Sequence, residues 1–183
     1  IRKERIDAMY LTNKVHTPDE IFEAIGAEVK EKHENKDYTQ SNYMIAYQGG
    51  YFGFIFTEDS RWVDITFHAF ECIKYEYFNK IMMEVNSLNY KYCGWNCYLS
   101  LSGDENTQKP LNANLAYRFV LNGSLKQIKD SLKQILEQAF FIARDFRDEL
   151  QEQISKQEEL DDEFFTDTAF NNKIAYIQRL KET

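Results

Sequence analysis

Three cysteines, two prolines and seven glycines in 183 residues leave little room for several architectures. So small and odd a set of thiols makes no disulfide scaffold and fits a reducing compartment. The shortage of glycine and proline excludes collagen-like and linker-like chains. No stretch approaches the roughly 18 consecutive apolar residues of a membrane-spanning helix. Positive charge is scarce too: 22 Lys+Arg stand against 30 Asp+Glu, for a formal charge of −8 and a pI near 5.0. That balance opposes non-specific attraction to nucleic acid or anionic membrane, so neither is expected as a partner. A cytoplasmic protein is the expectation. Ile1, not Met, opens the chain, which leaves an upstream segment or a removed signal peptide open.

The chain is richer in what builds a core, with 43% hydrophobic and 15% aromatic residues, enough for one full domain. It contains no internal repeat and no Gly/Ser-rich linker. Three stretches differ in character. Residues 1–16, opening on Arg2, Lys3, Glu4 and Arg5, read as an N-terminal arm. Residues 17–157 carry the regular periodicities of an α+β domain. Residues 158–183 begin with five acids in Glu158-Glu159-Leu160-Asp161-Asp162-Glu163 and read as an acidic linker and a C-terminal helix. The stripe of that helix is Phe170, Ile174, Ile177 and Leu180.

Thr17-Pro18-Asp19-Glu20 is the sharpest local signal. Thr17 can cap, Pro18 loses nothing at the first helical position, and Glu20 can reach back to the cap. Ile21, Phe22, Ile25 and Val29 extend the helical spacing, which predicts a first helix ending near His33 to Asn35. From Ser41 to Ala69 the period falls to two, predicting strands at Tyr43–Gln48, Tyr51–Phe56 and Trp62–Ala69. Gly49-Gly50 would form the first tight turn, since two glycines accept positive φ, and Glu58-Asp59-Ser60 the second. Alternation gives Phe52, Phe54 and Phe56, with Val63, Ile65 and Phe67, as the core face. A second helix is predicted over Tyr75 to Asn89, with Phe78, Ile81, Met82, Val85 and Leu88 on its apolar stripe and Glu84 off it. Strands at Gly94–Leu101 and Leu111–Leu121 follow, joined by a polar loop. Ser124 then caps a long helix whose stripe runs from Leu125 and Ile128 to Leu150 and Ile154. The predicted fold is α+β: a five-stranded antiparallel sheet with helices on one face, in the order α-β-β-β-α-β-β-α, plus the C-terminal helix.

That order resembles the type III secretion chaperone-like fold and, within it, the YbjN-like families. Val85-Asn86-Ser87-Leu88-Asn89 resembles the Val-Asn-x-x-Asn stretch by which YbjN-like proteins leave their second helix for the next strand. Trp62-Val63-Asp64-Ile65, continuing to Phe70, resembles the strand that enters that helix. The resemblance spans about Thr17 to Ile154. It implies a frequent homodimer and a chaperone or interaction module with no catalytic residues to carry over; the arm and the tail depart from the family's minimal pattern.

The chemistry-bearing residues offer little to an enzyme. His68, Cys72, Cys93 and Cys97 are the one metal-like set, but on an extended strand Cys93 and Cys97 would stand about 13 Å apart, too far for one zinc. No metal and no cofactor is therefore expected. No nucleophile elbow surrounds any Ser or Cys, and no glycine-rich loop opens a helix to cradle phosphate. The acids Asp145, Asp148, Glu149 and Glu152 read as the solvated side of the long helix, beside Arg144 and Arg147. More informative is the second face of the sheet, which carries Tyr51, Ile55, Trp62, Asp64, Thr66 and His68. A wet sheet face this rich in large side chains is a candidate protein interface, unless the arm or the last helix covers it. The chain is thus expected to be a non-enzymatic, chaperone-like module, binding apolar segments of a partner protein and forming a homodimer. The rivals are a ligand-binding domain or enzyme with a pocket converging on His68, Asp64 and Cys97, and a structural domain of a larger assembly.

Overall fold

The computed structural model describes residues 16–35, 39–57, 61–74, 77–101 and 111–155. The expected arm over 1–15, the turn at 58–60, the loop at 102–110, and the acidic linker and last helix lie outside the described residues. The elements are α1 (Pro18–Ile25), β1 (Glu28–Asn35), β2 (Gln40–Tyr47), β3 (Gly50–Thr57), β4 (Trp62–Ile73), α2 (Phe78–Lys91), β5 (Asn96–Leu101), β6 (Leu111–Val120) and α3 (Leu125–Ser155). The architecture is α+β, but the sheet has six antiparallel strands, not five, in the order β1-β2-β3-β4-β6-β5.

The sixth strand comes from the second half of the expected first helix. Thr17 and Glu20 do form the reciprocal capping box. The helix ends after eight residues, however, because Gly26 takes a left-handed φ of 75° and Ala27 N–H donates back to the Phe22 carbonyl. Glu28–Asn35 then pairs with β2 as an edge strand. Its alternating Glu and Lys side chains, at first sight a polar helix face, are what a solvent-facing edge needs to discourage further strand pairing.

The first hairpin turn is shifted by one residue from the Gly49-Gly50 expectation. Gln48 and Gly49 supply the two positive φ angles, 47° and 79°, and Gly50 is already the first residue of β3, paired with Tyr47. Gly50 is required for another reason: a Cβ there would lie 2.6 Å from Phe140 Cε1 of α3.

All three helices lie on one face. Ile21, Phe22 and Ile25 of α1, Ile81, Val85 and Leu88 of α2, and the α3 stripe from Ile128 to Leu150 join Ile45, Phe52, Phe54, Val63, Ile65, Phe67, Ala113 and Leu115 in one buried cluster. Phe56, expected in that set, sits at its margin, half-buried against Phe22 and Tyr43. Phe22 meets Phe54 edge-on with ring centres 5.2 Å apart, a favoured aromatic geometry. Ser124 and Gln127 form a second capping box at the start of α3.

α2 departs from its expected stripe at two positions. Phe78 is 37% exposed, whereas Glu84, expected on the polar side, is 2% exposed. The α2–α3 contact is wider than the apolar stripe and takes Glu84 inside it.

β4 carries a bulge between Phe67 and Glu71, with Ala69 at φ 45°. Asn114 holds it: its Oδ1 accepts from Ala69 N–H at 2.9 Å, while its Nδ2 donates to Ser100 Oγ and to the Asn112 carbonyl. Across the bulge β4 advances four residues while β6 advances two, so the facing is kept: Glu71, opposite Ala113, points to the helix layer like Phe67 and accepts from Arg147 of α3 at 2.7 Å.

Candidate interaction face

Six residues were expected on the face away from the helices, and the strand registers bring them together there. Asp64 lies opposite Ile55 on β3 and Arg118 on β6, Thr66 opposite Gly53 and Ala116, and Trp62 opposite Val120. Tyr51 lies one pleat further along β3, opposite Ala46 of β2. Met44 pairs with Gly53, so its side chain joins the same face. Among the described residues, no helix packs on this side.

The face is amphipathic. Trp62 is 50% exposed and Val120 38%, the two forming an apolar corner. Tyr51, Ile55, Met44 and Ala116 are half-buried by their neighbours in the sheet. Between corner and centre runs one ion pair: Arg118 donates from Nε and Nη2 to the two carboxylate oxygens of Asp64, at 2.6 and 3.1 Å. This forked geometry fixes the guanidinium relative to the carboxylate. Asp64, an acid inside β4, is thus the partner of Arg118.

Gly53, buried at the centre, has no side chain to hold its neighbours away. A Cβ there would stand 2.6 Å from Thr66 Oγ1 and 3.0 Å from His68 Nε2, so both side chains occupy the space a larger residue would fill. Thr66 Oγ1 and His68 Nε2 are 2.6 Å apart and hydrogen-bonded. Burial of the ring against this floor lowers the His68 pKa from its ordinary value, favouring the neutral imidazole.

The pocket of the rival reading does not form. His68 and Asp64 share the open face, whereas Cys97 is buried on the helix side, its row shared with Leu115. Burial pushes the Cys97 thiol up to about 12, and burial together with the Glu71 charge raises Cys72, so both stay protonated and poorly nucleophilic at neutral pH. Among the described residues, no group of three or more His, Cys, Asp or Glu is placed to hold a metal ion, and no helix is long and apolar enough to cross a membrane. A cleft of about 270 Å³ lies elsewhere, on α3 between Phe140, Phe141 and Arg144.

Several residues of consequence escaped the sequence reading. Arg118, Val120 and Gly53 belong to the open face, but alternation within one strand cannot reveal the register between β4 and β6. The acids of α3 also divide. Asp148 and Glu152 are exposed as expected, but Asp145 and Glu149 face α2, accepting from Lys91 Nζ at 2.6 and 2.9 Å, and Asp145 also accepts from Tyr92 OH. Burial raises and these hydrogen bonds lower the Asp145 pKa, with a net lowering. Glu84 completes this cluster from α2, its pKa raised to about 7 by burial and by Glu149 and Asp145.

No family model matches the chain, and no curated protein does. Among solved structures, the chain is similar to YbjN, a candidate transcription regulator from E. coli, with 9% identity over 68% of this chain and 84% of that one and a TM-score of 0.45. It is likewise similar to an uncharacterized protein from Methanothermobacter thermautotrophicus, with 14% identity over 74% of this chain and 94% of that one and a TM-score of 0.46. The first of these bears the name of the family that the sequence resembles.

Proposed function

We propose that this protein is a non-enzymatic interaction module of chaperone-like type, and that its open sheet face holds an apolar segment of a partner protein. One observation carries the reading: a broad sheet face bears Trp62, Val120, Ile55, Tyr51 and Met44 around Gly53, with all three described helices on the other side. Large side chains fixed on a pleated surface lose little entropy on binding, and the Asp64–Arg118 pair offers a polar boundary that orients a segment laid across it. The net charge of −8 favours keeping such a complex in solution. The buried, protonated thiols of Cys72 and Cys97 support a binding role over a nucleophilic one.

The test uses reduced, alkylated lactalbumin as an unfolded probe chain. The wild-type protein should bind it and slow its aggregation. Trp62→Asp, at a half-exposed site, should abolish binding with the circular dichroism unchanged, while Phe141→Asp on the far side of α3 should leave it intact. Equal binding by wild type and Trp62→Asp would remove the open face from consideration. The expected homodimer is a separate outcome, read from sedimentation of the same samples.

A further inference from the structure

The connection from β6 to α3 runs through Leu121, Asn122, Gly123 and Ser124, and it is held at both ends. Leu121 N–H donates to the Arg61 carbonyl at 2.7 Å. Ser124 enters the capping box with Gln127, its N–H donating to Gln127 Oε1 at 2.8 Å. Between these anchors Gly123 takes a positive φ of 101°, and a Cβ there would lie 2.7 Å from Gln127 Oε1. The cap therefore requires a glycine at this position. The residue before it, exposed to solvent, is an asparagine.

An asparagine followed by glycine carries an electrophile and a nucleophile side by side. The Asn122 carboxamide carbon and the Gly123 backbone nitrogen close a five-membered ring when they join, and glycine has no side chain to obstruct the approach. Among the described residues Gly123 N–H donates to no acceptor, so no hydrogen bond has to break before the nitrogen reacts. Asn86-Ser87 is the comparison within the same molecule. Asn86 is also exposed, but it lies inside α2, where the Ser87 N–H belongs to the helical ladder and ring closure has to break the helix.

We propose that Asn122 is a self-modification site, at which the Gly123 nitrogen attacks the Asn122 carboxamide and water opens the resulting ring. The Gly123 amide gives its proton to a solvent base, the bond from nitrogen to Cγ forms, the Cγ–Nδ2 bond breaks, and ammonia leaves with a proton. Water then adds to one of the two ring carbonyls, whose bond to nitrogen breaks as the nitrogen regains a proton. Opening at Cγ leaves an aspartyl group on a chain of normal length. Opening at the main-chain carbonyl leaves an isoaspartyl group, which adds the β-carbon to the main chain. The balance is water in and ammonia out, with no oxidant or cofactor. Either product sets a carboxylate two residues beyond Val120 of the open face, and the isoaspartyl product lengthens the chain between its two anchors and so loosens the start of α3. The site is defined by the cap and does not depend on what the open face binds.

The test follows the full chain at pH 7 by peptide mass spectrometry, folded and in urea. In the folded protein Asn122 should convert at least about tenfold faster than Asn86, with the mass gain of an NH2-to-OH exchange. That ratio should fall in urea, which melts α2 and frees Asn86. Asn122→Gln, which would have to close a six-membered ring, should show no conversion at this position. The isoaspartyl form, separated by ion exchange, should unfold at a lower urea concentration than Asn122→Asp, which carries the same charge on a chain of normal length. The proposal is overturned if Asn122 keeps its amide, if the ratio to Asn86 is the same folded and unfolded, or if the isoaspartyl form and Asn122→Asp unfold together.

Discussion

Ile81, Val85 and Leu88 draw α2 onto α3, and Glu84 is carried into the same contact, where it is 2% exposed. Its Oε2 has no hydrogen-bond partner among the described residues, and Glu149, Asp145 and Lys91 are the charged groups that act on it. Burial and two carboxylate neighbours against one lysine raise its pKa from 4.5 to about 7. Because the folded pKa is raised, the folded state gains from the neutral carboxyl. That advantage is whole below about pH 4.5 and is lost as the pH climbs through 7, at a cost of about 3 kcal/mol by linkage. Glu84→Gln keeps the neutral shape at every pH. The variant should therefore match wild type near pH 5 and exceed it by about 3 kcal/mol near pH 9, read from urea midpoints across the range. Parallel curves for the two proteins would show that Glu84 does not titrate in this window. Nothing in the sequence separates Glu84 from its exposed neighbours, because its burial is decided by how far α2 rolls onto α3.

Elements joined by local signals were the most legible. The Thr17–Glu20 box, the Ser124 cap and the stripe of α3 are each read within a dozen residues, and the alternation in β3 and β4 correctly separated Phe52 and Phe54 from Ile55, and Val63 and Ile65 from Asp64. β1 was not legible, since an edge strand buries little and its charges imitate a helix surface; Gly26, a C-cap residue in the right place, was the available signal. The bulge in β4 was also hidden, because Asn114, which satisfies Ala69 N–H, lies 45 positions away in sequence. Beyond it Glu71 faces α3, where burial raises its pKa and Arg147 opposes the rise. Removing the guanidinium strands a carboxylate that is 4% exposed. Arg147→Met should cost about 3 kcal/mol at pH 7 and less as the pH is lowered, because burial favours the protonated carboxyl, as measured by urea unfolding at a series of pH values. A cost independent of pH would assign the loss to packing of the arginine stem alone.

Among the described residues the sheet has one face under the helices and one without a helix on it, and the two tryptophans divide between them. Trp95 is 3% exposed in the helix-side core, against Tyr117; Trp62 is 50% exposed on the open face. The division follows from strand facing, since Trp62 opens β4 on the side away from Val63, and Trp95 precedes β5 on the side of Cys97. The two positions should then respond differently to the same substitution. Trp95→Phe should cost about 2 kcal/mol through the volume it removes from a packed site, whereas Trp62→Phe should cost under about 0.5 kcal/mol. The Trp95→Phe protein carries Trp62 as its sole tryptophan and so becomes a reporter of the open face. Its emission should be red-shifted and readily quenched by acrylamide when the protein is alone. Saturation with the unfolded probe chain should move it to the blue and protect it from quenching, because a segment laid over the Trp62–Val120 corner removes water from the indole. Binding of the probe with no change in emission would place the contact on another surface and retire the open face as the site of recognition.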